Sequence, residues 1–283
     1  MLTYTTTAFA DDFVFLEGPR WHDGRLWVSD IWGHTVYALA ADGAREAIVE
    51  VPGRPSGLGF LPDGTPLIVS MTERRLYRLV AGELVLHADL GALVAAEIND
   101  MVVDTSGRAY VGNMGYDLFG GAPARTAEIT LVEADGRCRH VATGLDFPNG
   151  MLITDGGRTL VVAESFGHRV SAFDIAEDGS LDAQRVLCEL PDLVPDGICL
   201  DAEGNVWVAG AMGGAFVQVA PDGAVIARID VGPRAAIACQ LGGTDGHTLY
   251  CLTYDGGVEE LSRGEPGAHI EVARVDVPAA GSP

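Results

Sequence analysis

Five polar residues, Glu17, Ser56, Asn99, Asn149 and Asp196, stand at matching points of a repeated phrase. In four copies the polar residue lies eight positions before a turn glycine: Gly64, Gly107, Gly157 and Gly204. The first copy is shorter, from Glu17 to Gly24. A short apolar run such as Met151-Leu152-Ile153 precedes each turn, and a second such as Val206-Trp207-Val208 follows it. If the copies converge in space, carboxylates and amides face one another, and buried charges of one sign must be compensated. No lysine occurs in the chain and no arginine occupies these positions. An oxygen-only set of Glu, Asp and Asn side chains suits a hard cation such as Ca²⁺, Mg²⁺ or Mn²⁺. Any one of these residues alone fits equally well a strand start that hydrogen-bonds loop backbone. The shared register is what favours a site.

The elements that position them are strands. Runs rich in Val, Leu, Tyr and Trp are punctuated by Asp-Gly pairs (Asp23-Gly24, Asp63-Gly64, Asp135-Gly136, Asp222-Gly223), and helical periodicity is nearly absent. Asp-Gly suits hairpin turns because both residues tolerate positive φ. Each copy reads as four strands; in the first these are Pro19-Arg20-Trp21, Leu26–Ser29, Thr35–Leu39 and Ala47–Glu50. A period of roughly 40–50 residues is that of a propeller blade. With a degenerate sixth copy from Ala235 to Gly246, residues 1–283 read as a single all-β domain, a six-bladed β-propeller with four-stranded blades. The inner strands of a propeller start near its axis, so the five polar residues are expected to meet there. Residues around Thr5 to Phe13 are expected to close the ring by pairing into the last blade. His269–Val275 lies beside them, and Pro278–Pro283 reads as a tail.

Composition narrows the function. Eighteen arginines stand against 40 acidic residues, a net charge of −22, which argues against nucleic acid and anionic membrane partners. The lack of lysine excludes Schiff-base chemistry and a Walker-type phosphate site. Five scattered cysteines without CxxC spacing read as buried thiols in a reducing, cytoplasmic setting. The N-terminus has no signal-peptide pattern, and no apolar run approaches a membrane span. GxSxG, HExxH and strand-to-helix GxGxxG motifs are absent. His34 and His168 follow second strands as turn residues, and the dispersed histidines give no spacing for a histidine-built zinc site. A Gly-rich segment, Asn113–Pro123, carries Tyr116 and forms a long loop of the kind used as a lid or specificity element.

The segments Leu16-Glu17-Gly18-Pro19-Arg20-Trp21, Ile98-Asn99-Asp100, Phe147-Pro148-Asn149-Gly150 and Pro195-Asp196-Gly197-Ile198 resemble the regucalcin/gluconolactonase/luciferin-regenerating-enzyme family across essentially the whole chain. The resemblance implies a divalent-metal-dependent hydrolase of sugar-acid lactones. On it Glu17, Asn149 and Asp196 are metal ligands, Asn99 contacts substrate or bound water, and Asp196 is the general base. Calcium is the preferred ion, with Mg²⁺, Mn²⁺ or Zn²⁺ as the others. Members acting on sugar acids commonly carry an arginine two positions before the Asn-Asp pair, where this chain has Glu97. That departure is expected to disfavour polyhydroxy or anionic sugar lactones, or to change how they are held, with Glu97, Asn99 and Tyr116 as substrate contacts. The leading reading is a lactonase acting on a small cyclic ester. Two others stay open: the same metal site acting on a phosphotriester or in hydration or isomerisation of a metabolite, and a non-catalytic binding platform.

Overall fold

Short apolar runs bounded by Asp-Gly turns fold as strands throughout the computed structural model, which describes residues 1–118 and 120–281. The strands form six sheets, and the first runs from the inside outwards as Leu16–His22, Arg25–Asp30, Thr35–Leu39 and Arg45–Glu50. The inner strands of the other five are Pro55–Phe60, Ile98–Val103, Pro148–Thr154, Pro195–Leu200 and Ala235–Gly242. Each inner strand touches the next, and the last touches the first, so the sheets close into a ring. The fold is a six-bladed β-propeller. Helix is limited, among the described residues, to Val258–Ser262 in a loop of the sixth blade.

Between blades the contact is apolar. Leu26, Val28 and Leu39 of blade 1 pack with Ile237, Tyr250 and Leu252 of blade 6, while Val36 and Val51 pack with Leu58 and Ile68 of blade 2. Alternating side chains along a strand thus serve two neighbours, as the period of two requires. Cys199, Cys239 and Cys251 are buried, unbonded thiols of the core between blades 5 and 6.

The ring is closed by the N-terminus, as expected: Thr7–Phe13 pairs antiparallel with Ala268–Arg274 as the outermost strand of blade 6. Leu2–Thr3 adds a fifth, parallel strand to blade 5. The C-terminal segment, expected as a tail, is hydrogen-bonded to the blades through Ala279 and Ala280. Ala279 bridges Asp201 and donates its N–H to Gly246, while the Ala280 N–H reaches the Leu200 carbonyl. Ser282, Pro283 and Phe119 of the Gly-rich loop lie outside the described residues.

Two local features bring the polar positions to the axis. Every inner strand shifts register at that point, between Glu17 and Arg20, Pro55 and Leu58, Ile98 and Met101, Pro148 and Met151, Pro195 and Ile198, and Ala236 and Ala238. Such a bulge re-aims a side chain that a regular pleat would direct at a neighbouring blade. The glycine that follows the polar residue answers a second need. A Cβ at Gly150 would lie 2.6 Å from the Asp196 carbonyl oxygen, and one at Gly197 would lie 2.3 Å from the Ala238 Cβ. At these two positions the inner strands approach too closely for any side chain.

Candidate active site

Three of the five polar residues and one unexpected serine form a chain of hydrogen bonds around the axis. Ser56 Oγ donates to Asn99 Oδ1 at 2.9 Å, and Asn99 Nδ2 donates to Asn149 Oδ1 at 3.2 Å. Asn149 Nδ2 then donates to Ser165 Oγ at 3.1 Å, and that hydroxyl donates to the Pro195 carbonyl at 2.7 Å. Glu17 and Asp196 complete the circle, and both the Glu17 carboxyl and the Asn149 amide border the Asp196 carboxylate. In the sixth blade the corresponding residue is Ala236, opposite Thr253 as Glu17 is opposite Ser29. The ring of polar groups is therefore open on that side.

The electrostatics are those of acids buried close together. Glu17 and Asp196 are almost fully buried. Burial, followed by the Asp196 charge, raises the Glu17 carboxyl well above the usual range. Burial, with the charge of Asp100 next, does the same to Asp196. Asp100 occupies the place held by glycine in blades 1, 2, 4 and 5. It too is raised by burial, against the pull of Arg20, whose Nη2 lies 3.5 Å from its Oδ1. Arg20 also donates 2.6 Å to the Met101 carbonyl, so its guanidinium is tied on the side of Asp100. Of the three buried carboxylates, Asp100 pairs with Arg20 and Glu17 feels its charge, while Asp196 Oδ1 is buried with no hydrogen-bond partner among the described residues.

The residues leading into the axial positions are clamped from the second strands. Asp30, opposite Leu16, accepts the N–H groups of Val14 and Phe15 at 2.9 Å each and of Gly33 at 3.0 Å. Glu164 stands at the same register in blade 4, opposite Pro148, and accepts the Asp146 N–H at 2.9 Å. Arg169 and Ser171 hold Glu164 in turn, and together with the Asp146 N–H they outweigh burial and lower its pKa. Among the described residues, no group of three or more His, Cys, Asp or Glu side chains is arranged to hold a metal. An ion at the axis would therefore rely on amide oxygen as well as on Glu17 and Asp196. Asp196 Oδ1 offers a donor atom with no other partner among the described residues, and the buried carboxylates fit a cation.

Glu97 and Tyr116 are placed elsewhere. Both line a cavity of about 320 Å³ beside the axis, together with Thr72, Arg74, Met114 and Leu118, and none of the axial residues borders it. It opens at the same end of the ring, because Ile98 pairs with Asn113 and so brings the start of one strand to the end of the next. Sequence reasoning did not single out Ser165, Asp100, Arg20, Asp30 or Glu164. Asp100 had a signal, as the one residue after an axial polar residue that is not glycine. The clamps had a weaker one, an acid ending a second strand in blades 1 and 4.

The sequence matches the SMP-30/gluconolactonase/LRE-like region over residues 15–255. The chain belongs to this family. Among its relatives in the family is a pentonolactonase of Haloferax volcanii, 29% identical over 279 residues, which cover 94% of this chain and 92% of that protein. A 6-deoxy-6-sulfogluconolactonase of Pseudomonas putida is 26% identical, covering 94% and 93% of the two chains. Among solved structures of the family, a calcium-binding regucalcin from Agrobacterium tumefaciens superposes with a TM-score of 0.80 at 21% identity, covering 99% of this chain and 97% of that one. The propeller architecture is thus that of the family. No helix among the described residues is long and apolar enough to cross a membrane.

Proposed function

We propose that the protein is a lactonase that hydrolyses a small cyclic ester at the axial cluster with a divalent cation bound there. The observation that carries this reading is the charge imbalance at the axis. Glu17, Asp100 and Asp196 are buried, Arg20 pairs with Asp100, and Asp196 Oδ1 has no hydrogen-bond partner among the described residues. Two surplus negative charges match one divalent ion. Glu17, Asn149 and Asp196 would hold it, and the oxygen donors favour Ca²⁺, with Mg²⁺, Mn²⁺ or Zn²⁺ as other occupants. Such an ion supplies Lewis-acid polarisation of the ester carbonyl and stabilisation of the developing oxyanion.

This chain's own residues do the rest. Water adds to the carbonyl carbon while Asp196, buried at the axis, takes its proton. The ring C–O bond then breaks, and the leaving alkoxide takes up the proton held by Asp196, giving the open hydroxy acid and restoring the carboxylate. Asn99, fixed between Ser56 and Asn149, is oriented to hold the water or the ester at the axis. Names of two relatives at about full-length coverage, a pentonolactonase and a sulfogluconolactonase, support the reaction class. A pH-indicator assay over a lactone panel, with chelated protein and protein reloaded with each ion, tests it. Acid release should require the ion, and Asp196→Asn should lower it by about 10²-fold or more, the low end for loss of a general base. Full activity in that variant would remove Asp196 from the mechanism, and silence of the reloaded protein on every lactone would remove the reaction class.

A further inference from the structure

A fixed ion pair crosses the channel beside the axial acids, and the hydrolytic reading gives it no task. Arg20 belongs to the inner strand of blade 1 and Asp100 to that of blade 3, so their contact reaches past blade 2. Gly57 of that intervening blade has no side chain to interpose. Arg20 Nη1 donates to the Pro19 carbonyl at 2.8 Å, and Nη2 to the Met101 carbonyl at 2.6 Å. Asp100 Oδ1, which faces Nη2, also accepts the Met101 N–H at 2.8 Å. The Met151 backbone of blade 4 favours the charged form of the same carboxylate. Asp100 thus draws on three blades. Both partners are buried, 4% and 5% exposed, so water screens neither. Arg20 also lines a cavity of about 80 Å³ that none of the axial polar residues borders, and there it is the one charged side chain among the described residues.

We propose that Arg20 and Asp100 form a built-in neutral pair that fixes the charge the axial site presents to a cation, with Arg20 as the positioning residue that leaves Glu17 and Asp196 free to hold it. The assignment rests on the metal reading of the axial cluster. A guanidinium is a rigid fork suited to carboxylates, and one free to turn toward Glu17 or Asp196 would occupy the oxygens an ion needs. Here the fork is spent on the Pro19 and Met101 carbonyls and on Asp100. Its charge is cancelled by Asp100, and the two remaining carboxylates are left to the ion. Charges act strongly on one another where water is excluded, so deleting one member of the pair should be felt by the ion and deleting both should not.

The test is calorimetric titration of calcium into chelated wild type, Asp100→Asn, Arg20→Met and the double variant Arg20→Met/Asp100→Asn. Asp100→Asn keeps the side-chain shape and leaves the guanidinium unopposed, so calcium binding should weaken about 10-fold or more. Arg20→Met removes the cation and should bind calcium at least as tightly as wild type. The double variant restores the balance and should return to within about 3-fold of wild type. A merely structural role would give a different pattern, with every variant weaker and the double the weakest. Unchanged binding in Asp100→Asn, or a double variant no tighter than Asp100→Asn, would overturn the proposal. A near-ultraviolet circular dichroism spectrum matching wild type shows that a variant retains the fold. Should Arg20→Met fail to fold, Asp100→Asn against the double variant still decides; should Asp100→Asn fail, the double variant against wild type does. Wild type that binds no calcium would overturn the metal reading and the proposal with it. Calcium binding with the expected pattern but no lactone hydrolysed would support the proposal and remove the reaction class alone.

Discussion

At the scale of single residues, the axial acids are held at odds with their own charge. Glu17 and Asp196 have pKa values raised by burial above those of an unfolded chain. Below the unfolded values, about 4, both states are protonated and these groups cost the fold nothing. As pH rises toward the folded pKa values, the unfolded chain releases protons that the native state retains, so stability falls. Chelated protein should therefore lose thermal stability between pH 5 and pH 8. Glu17→Gln/Asp196→Asn should flatten that loss by at least about 2–4 °C, the shift that roughly 1 kcal/mol produces in a chain of this size. Calcium added at pH 8 should raise the wild-type midpoint and leave the double variant unmoved. Scanning calorimetry of the two proteins with and without the ion reads all of this, and equal slopes in the chelated pair would contradict the charge imbalance.

Strands and their junctions decide whether those residues meet. The polar-then-glycine phrase was legible in the sequence because it answers a packing demand. Only glycine fits where Gly150 faces the Asp196 carbonyl and Gly197 faces Ala238. Blade number was legible because the polar positions recur at a blade's length, and ring closure because the residues before Glu17 match those before Asn149. The clamps were not. Asp30 and Glu164 look like ordinary acids at strand ends, and their role appears only when strand register sets them opposite Leu16 and Pro148. The off-axis position of Glu97 and Tyr116 was equally hidden, because it depends on a loop's path rather than on periodicity. Asp30→Ala would leave the Val14, Phe15 and Gly33 N–H groups without their acceptor. At about 1–3 kcal/mol for each buried donor left unpaired, less what water recovers, a loss of roughly 2–4 kcal/mol is expected. Urea unfolding would measure it, and a loss below about 0.5 kcal/mol would show that the segment before Glu17 holds itself.

For the whole molecule, the arrangement of the ring ties the site to its seam. Glu17 belongs to blade 1 and Asp196 to blade 5, so the two carboxylates meet across the blade whose axial residue is Ala236. Blade 6 takes its three inner strands from the C-terminal part of the chain and its outermost from Thr7–Phe13. The hydrogen bonds of that strand, and the Phe9–Tyr250 and Phe13–Tyr37 ring contacts at 5.3 and 5.6 Å, hold the seam shut. Closing a ring by a strand distant in sequence couples the blades, since opening one seam exposes the apolar faces of two. Deleting residues 1–13 should therefore do more than fray an edge. Unfolding should lose cooperativity, shown by a urea m-value well below that of the full chain, and calcium affinity should fall at least about 10-fold as Glu17 and Asp196 lose their fixed separation. Adding the peptide Leu2–Phe13 in trans should restore part of both. A truncated chain that unfolds with the full m-value and binds calcium unchanged would show that the inner strands alone set the geometry of the axis.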